Sequence, residues 1–108
     1  MDQGLTYDAL KNGKLDVNVS FSTDGRIAKF NLINLKDDAS FFPPYYCVPI
    51  LKKSFAEKNP AVVEALHGLK NKWRDEDMQK YNLLVDEGMD AREAATKMLT
   101  EAGLLTKK

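Results

Sequence analysis

Residues 41–51 read "FFPPYYCVPIL", and the fold turns on how this stretch is placed. Pro43 and Pro44 cannot lie inside a central strand, and each drives the residue before it out of the helical region. The backbone therefore approaches extended. Tyr45 to Leu51 is rich in residues that suit a pleated surface, so a strand is predicted there. Pro49 has no N–H to give to a ladder, which confines that strand to a sheet edge or to a crossover between two bodies. Four aromatic rings in six residues also need an explanation: they are core filler, or some of them face a ligand.

On the N-terminal side, Leu15, Val17, Val19 and Phe21 alternate with Asp16, Asn18 and Ser20, the period of a strand with one buried face. Before it, Thr6 to Asn12 reads as a short helix capped by Thr6 and ended by Gly13. After it, Ser22-Thr23-Asp24-Gly25 is a turn rich in helix caps, with a helical turn predicted through about Lys29. Leu32, Ile33 and Leu35 make a second strand, closed by Lys36-Asp37-Asp38. On the C-terminal side the pattern becomes helical. Asn59 caps and Pro60 suits the first helical position, with Val62, Leu66, Leu69 and Trp73 on one face. Asp75 caps the next helix, in which Met78, Tyr81, Leu84 and Val85 share a face before Gly88 ends it. Asp90 and Glu93 have capping-box spacing, and Ala91, Ala94, Ala95, Met98, Leu99 and Ala102 form a stripe that stops at Gly103. The predicted order is α-β-α-β-β followed by α-α-α.

Composition bounds the function. The chain has 108 residues, 44% apolar and 30% charged, with 16 basic and 16 acidic side chains. A chain of this length buries roughly two-thirds of its unfolded surface. Balanced charge without a basic stripe argues against nucleic acid as a partner. No apolar run reaches the ~18 residues of a membrane-spanning helix, and no secretory leader is evident; taken alone that suggests a cytosolic protein, and it would also follow for a piece of a larger chain. Cys47 is the single cysteine, so no internal disulfide forms, and a buried, inert thiol is the expectation.

Motifs for catalysis are lacking. There is no Gly-rich phosphate loop and no Cys/His metal spacing. His67, the sole histidine, reads as an ordinary helix residue. Ser22-Thr23-Asp24 has no nearby histidine to complete a nucleophilic set. The acidic clusters Asp75-Glu76-Asp77 and Asp86-Glu87 sit at helix ends, where dipole interaction and solvation account for them. No enzyme, metal or cofactor is expected. What remains is the aromatic segment. Phe41, Phe42, Tyr45 and Tyr46 can simply pack. They can also serve as a cation cage, because a quaternary ammonium group has no N–H to donate, and ring faces satisfy both its charge and its apolar surface.

"ALKNGKLDVNVSFSTDGRI", "FFPPYYCVPILKKSFAEKNPAVVEALHGL" and "DEDMQKYNLLVDEGMDAREAATKMLTEAGLL" together resemble the C-terminal part of the osmoprotectant-binding proteins. These serve ABC importers of glycine betaine, choline, carnitine and proline betaine. The resemblance runs from about Leu5 to Leu105. It implies an α/β fold: part of a two-lobed, type II periplasmic-binding-protein-like clamp, with a short mixed sheet, flanking helices and a C-terminal three-helix segment. Residues 1–44 would end the second lobe, 45–51 would cross over, and 52–108 would supply helices of the first lobe, the whole forming one compact unit in isolation. Ligand would sit between lobes that close by hinge motion.

In that family one cage tyrosine lies just before "STDG" and another in the "PPY" segment. The matching positions are Phe21 and Tyr45. Phe21 keeps the π face and loses the hydroxyl. Thr23 and Asp24 match the family turn near the cleft, with Asp24 equally readable as a helix cap, and Tyr46 follows Tyr45 on the opposite side of a regular strand. The implied partners are a small quaternary-ammonium solute, bound weakly by this chain alone, and an ABC permease subunit or fused permease domain. The implied location is the extracytoplasmic face of the membrane or the periplasm. Homodimers or exchange of elements between chains are expected where apolar stripes lack cover. The competing reading is a small protein-interaction module with no small ligand.

Overall fold

In a computed structural model, residues 3–105 are described. Among them are six helices: α1 (Gln3–Lys11), α2 (Gly25–Lys29), α3 (Lys53–Lys58), α4 (Pro60–His67), α5 (Asp75–Asp86) and α6 (Ala91–Glu101). The chain divides into two compact units, residues 1–34 with 73–108, and residues 35–72.

The first unit holds the core. Tyr7 of α1, Ile27 of α2, Tyr81 of α5 and Ala94 of α6 are its buried hydrophobic side chains. The helix α2 lies against α5, and Gly25 sits so close to the Leu83 backbone that no side chain fits between them. Local chemistry sets the helix ends. The Asp24 carboxylate accepts from the Arg26 N–H and so caps α2, and Asp90 accepts from the N–H groups of Arg92 and Glu93 to cap α6. Asp77 reaches back to accept from the Arg74 N–H at 3.0 Å, so Asp75 is the first residue of α5 rather than its cap. Gly13, Gly88 and Gly103 follow α1, α5 and α6 with φ of 67°, 102° and 71°, the left-handed turn that closes a helix with least strain in glycine. The start of α1 differs from expectation. Thr6 lies inside the helix, donating its hydroxyl to the Gln3 carbonyl and accepting from Asn18 Nδ2.

The second unit comprises an irregular aromatic segment and a helical pair, with no buried residue. The Asp37 carboxylate accepts from the N–H groups of Phe41 and Phe42, both at 2.9 Å. Those two bonds hold its side chain below the usual carboxylate range and close a loop in which Ser40 has a φ of 51°. Phe41 and Phe42 then meet edge to face, ring centres 5.1 Å apart. Pro60 opens α4 as predicted, but the Asn59 side chain turns back to donate to the Phe55 carbonyl instead of capping. The helix stops at His67, short of Leu69 and Trp73, and Asn71 has a φ of 57°. The short α3 was not predicted; "KSFAEK" has too few apolar residues to mark a face.

The expected short mixed sheet is not formed among the described residues: 15–21, 32–35 and 45–51 have no regular secondary structure and carry no strand pairing. A strand is defined by its ladder, and an alternating pattern supplies only the face to be covered. Val17, Val19, Ile33, Leu35, Val48 and Ile50 are all exposed. Cys47 is exposed as well, contrary to the buried thiol expected.

Candidate functional site

The turn at residues 21–24 gathers three of the five expected site residues. Phe21, Thr23 and Asp24 line one open groove of about 500 Å³ in the first unit, together with Met78, Tyr81 and Met98 from α5 and α6. Phe21 is 53% exposed. Tyr45 and Tyr46 belong to the second unit, in the irregular segment after Pro44, and are 84% and 81% exposed.

Several contacts fix the turn. The Asp24 N–H donates to the Phe21 carbonyl at 3.1 Å. From α5, Gln79 Nε2 donates to the Ser22 carbonyl at 2.6 Å and Asn82 Nδ2 donates to the Thr23 carbonyl at 2.8 Å. Asn34 Nδ2 donates to the same Ser22 carbonyl at 3.2 Å. The approach to the turn is braced by Tyr7, whose hydroxyl and that of Ser20 are 2.6 Å apart. Tyr7 is 1% exposed, and burial pushes its phenol above the ordinary range.

Asp24 is an electrostatic node. Its two oxygens take Arg26 Nε at 3.0 Å and a terminal guanidinium nitrogen at 2.8 Å, a bidentate pair. The guanidinium carbon also lies 4.5 Å from the centre of the Tyr7 ring, a cation–π placement. Burial alone would raise the Asp24 carboxyl; the Arg26 side chain and N–H outweigh it, so the group stays below the usual carboxylate range. Asp24 is therefore ionised and held as cap and ion-pair partner. Arg26 spends its fork on Asp24, which leaves it poorly placed to clamp a ligand carboxylate.

Tyr81 also lines the groove. Its hydroxyl donates to Glu101 Oε2 at 2.6 Å, and Lys80 Nζ reaches the same oxygen at 3.2 Å. The Glu101 hydrogen bond pushes the Tyr81 phenol up to about 12. Among the described residues no cluster of histidine, cysteine or carboxylates is arranged to hold a metal, and no helix is long and apolar enough to cross a membrane.

Sequence reasoning missed Gln79, Asn82 and Tyr7. Gln79 and Asn82 are three apart on one helical face, but nothing in their spacing tells which backbone they serve, more than fifty residues upstream.

Comparison with known proteins supplies what the turn and groove lack. Residues 1–101 match the family described as the substrate binding domain of the ABC-type glycine betaine transport system. The carnitine transport binding protein OpuCC of Listeria monocytogenes is 44% identical over 86 residues, 80% of this chain and 28% of that protein. The glycine-betaine-binding protein of Pseudomonas aeruginosa is 35% identical over 106 residues, 97% of this chain and 34% of that protein. The ergothioneine transport permease/ergothioneine binding protein EgtU of Helicobacter pylori is 35% identical over 86 residues, 80% of this chain and 16% of that protein. The chain thus spans 34% or less of the length of these curated relatives.

Proposed function

The chain belongs to the family of substrate-binding domains of ABC-type glycine betaine transport systems, and from that premise we propose that it contributes part of an aromatic cage for a quaternary-ammonium osmoprotectant. Carnitine, glycine betaine and ergothioneine, named in its relatives, all carry a trimethylammonium group and a carboxylate. The ammonium cannot donate a hydrogen bond, so ring faces are its natural contact. Phe21 and Tyr45 are the proposed cage members here, with Thr23 and Asp24 beside Phe21 and Tyr46 beside Tyr45. The observation that carries this reading is family membership over residues 1–101; the exposure of both rings is in keeping with it.

The wider architecture proposed is a type II clamp. Residues 1–44 end one lobe, 45–51 cross over, and 52–108 supply helices to the other, with 15–21, 32–35 and 45–51 becoming strands of its sheets. Delivery is to an ABC permease, separate or fused as in the Helicobacter relative, on the extracytoplasmic side of the membrane. No chemical step is required of it.

Magnitudes limit what this chain does by itself. A cation–π contact is worth roughly 0.5–2 kcal/mol, so two rings give on the order of 1–4 kcal/mol, against about 8 kcal/mol for micromolar affinity. With Arg26 engaged by Asp24, the carboxylate clamp is assigned to other parts of the full-length protein. The test is an NMR titration of the 108-residue chain with choline and with 3,3-dimethylbutanol, which has the same shape without the charge. Millimolar choline is expected to move the Phe21 and Tyr45 ring resonances, and the neutral analogue is not. Equal responses to both would overturn the cage, and low-micromolar choline binding would overturn the division of labour.

A further inference from the structure

We propose that Gln79 and Asn82 are positioning residues for the ligand-binding turn: from consecutive turns of α5, their side-chain amides hold the Ser22 and Thr23 carbonyls and so fix where Phe21 is presented. The inference rests on the functional reading above only for what Phe21 touches; the clamp itself stands on geometry.

The two bonds, 2.6 Å from Gln79 and 2.8 Å from Asn82, link residues 57 and 59 positions apart in sequence. They engage carbonyls that no helix ladder uses. Gln79 is the one buried polar residue among those described, 7% exposed. A buried amide left unpaired is unfavourable by more than an ordinary hydrogen bond contributes, so its pairing with Ser22 is specific rather than incidental. The close approach of Gly25 to the Leu83 backbone brings the turn within reach of both amides. Because the carbonyls of two successive residues are held, the peptide planes on either side of Thr23 lose their freedom to rotate. The Phe21 carbonyl, two residues upstream of Thr23, is held in turn by the Asp24 N–H, so the direction of Phe21 follows from the three held peptides. In this way the C-terminal helices, which carry none of the five expected site residues, take part in the site.

Two near-isosteric variants of the whole 108-residue chain test this, Gln79→Met and Asn82→Leu. The readout is the carbonyl ¹³C resonance of each acceptor. Gln79→Met is expected to move Ser22 upfield and leave Thr23 nearly in place, and Asn82→Leu the reverse, while amides of α1 and α6 keep their protection. The Asp24 amide, which closes the turn, is expected to exchange roughly fivefold faster in either variant, one ordinary hydrogen bond's effect. Unchanged carbonyl resonances in folded variants overturn the proposal. If a variant does not fold, the wild-type chain provides the same decision: scalar couplings across the two hydrogen bonds are expected, and their absence overturns it. A choline titration separates the two readings. Variants with a displaced turn are expected to lose at least half of the Phe21 ring response. If the wild type gives no such response while the carbonyls still shift singly, the clamp stands and the assignment of Phe21 to the ligand falls.

Discussion

At the scale of single residues, contact distance and charge govern the first unit. A Cβ built at Gly25 would meet the Leu83 nitrogen at 2.5 Å and its Cα at 2.7 Å, and neither backbone atom can swing aside. Gly25→Ala is therefore expected to destabilise the fold by about 1–3 kcal/mol, the range for overpacking, read as a lower urea midpoint with an unchanged m-value. Asp24 makes a prediction in pH. Its folded pKa is lowered, so the stabilisation it contributes is present above its unfolded value near 4 and is lost as pH falls through the folded value. Acid unfolding followed by circular dichroism should show this limb, and Asp24→Asn should flatten it. Phe21 tests the site: Phe21→Ala is expected to weaken any choline response several-fold, in keeping with one cation–π contact, whereas Phe21→Tyr retains it.

At the scale of elements, caps and clasps set the boundaries. Asp90→Ala removes both side-chain bonds at the start of α6, with an expected loss of about 0.5–2 kcal/mol in thermal or urea denaturation. The clasp from Tyr81 to Glu101 acts at the opposite end of the pH scale. The folded Tyr81 pKa of about 12 lies above its ordinary value of 10. Its contribution is complete below pH 10 and lost as pH rises through 12. Ultraviolet titration should find Tyr81 ionising late, alongside the buried Tyr7, and Glu101→Gln should return Tyr81 toward 10 while Tyr7 stays raised. These helices and their stops were legible in the sequence because caps, left-handed glycines and apolar stripes act within a few residues. Asp24, Gly88, Asp90 and Gly103 could be read one by one. Reading failed where a local signal was ambiguous or absent: Thr6 and Asp75 are good caps that stand inside their helices, α4 ends before its apparent stripe does, and α3 has no stripe to see. The amides of Gln79 and Asn82 were invisible because their partners are chosen by tertiary packing.

At the scale of the molecule, the family was legible from three blocks of sequence, and the sheet was not realised. Alternation at Leu15, Val17, Val19 and Phe21 tells which side chains want cover, but the cover must come from other strands. Exposed Val17, Val19, Ile33 and Ile50 give this chain an apolar surface beyond what scattered residues explain. Concentration-dependent association is expected: light scattering between micromolar and millimolar chain should show a rising mass, and a constant monomer mass would refute it. Supplying the remainder of a full-length relative as a separate chain should suppress that association if the two complement each other.

One feature of the second unit has practical value. The sole thiol, Cys47, is solvent-facing and stands two residues beyond Tyr45. An environment-sensitive maleimide dye would attach there and nowhere else, without introducing a new cysteine. Solute capture in a reconstituted full-length protein could then be followed as a change of colour or brightness, provided the remainder of that protein contributes no thiol of its own.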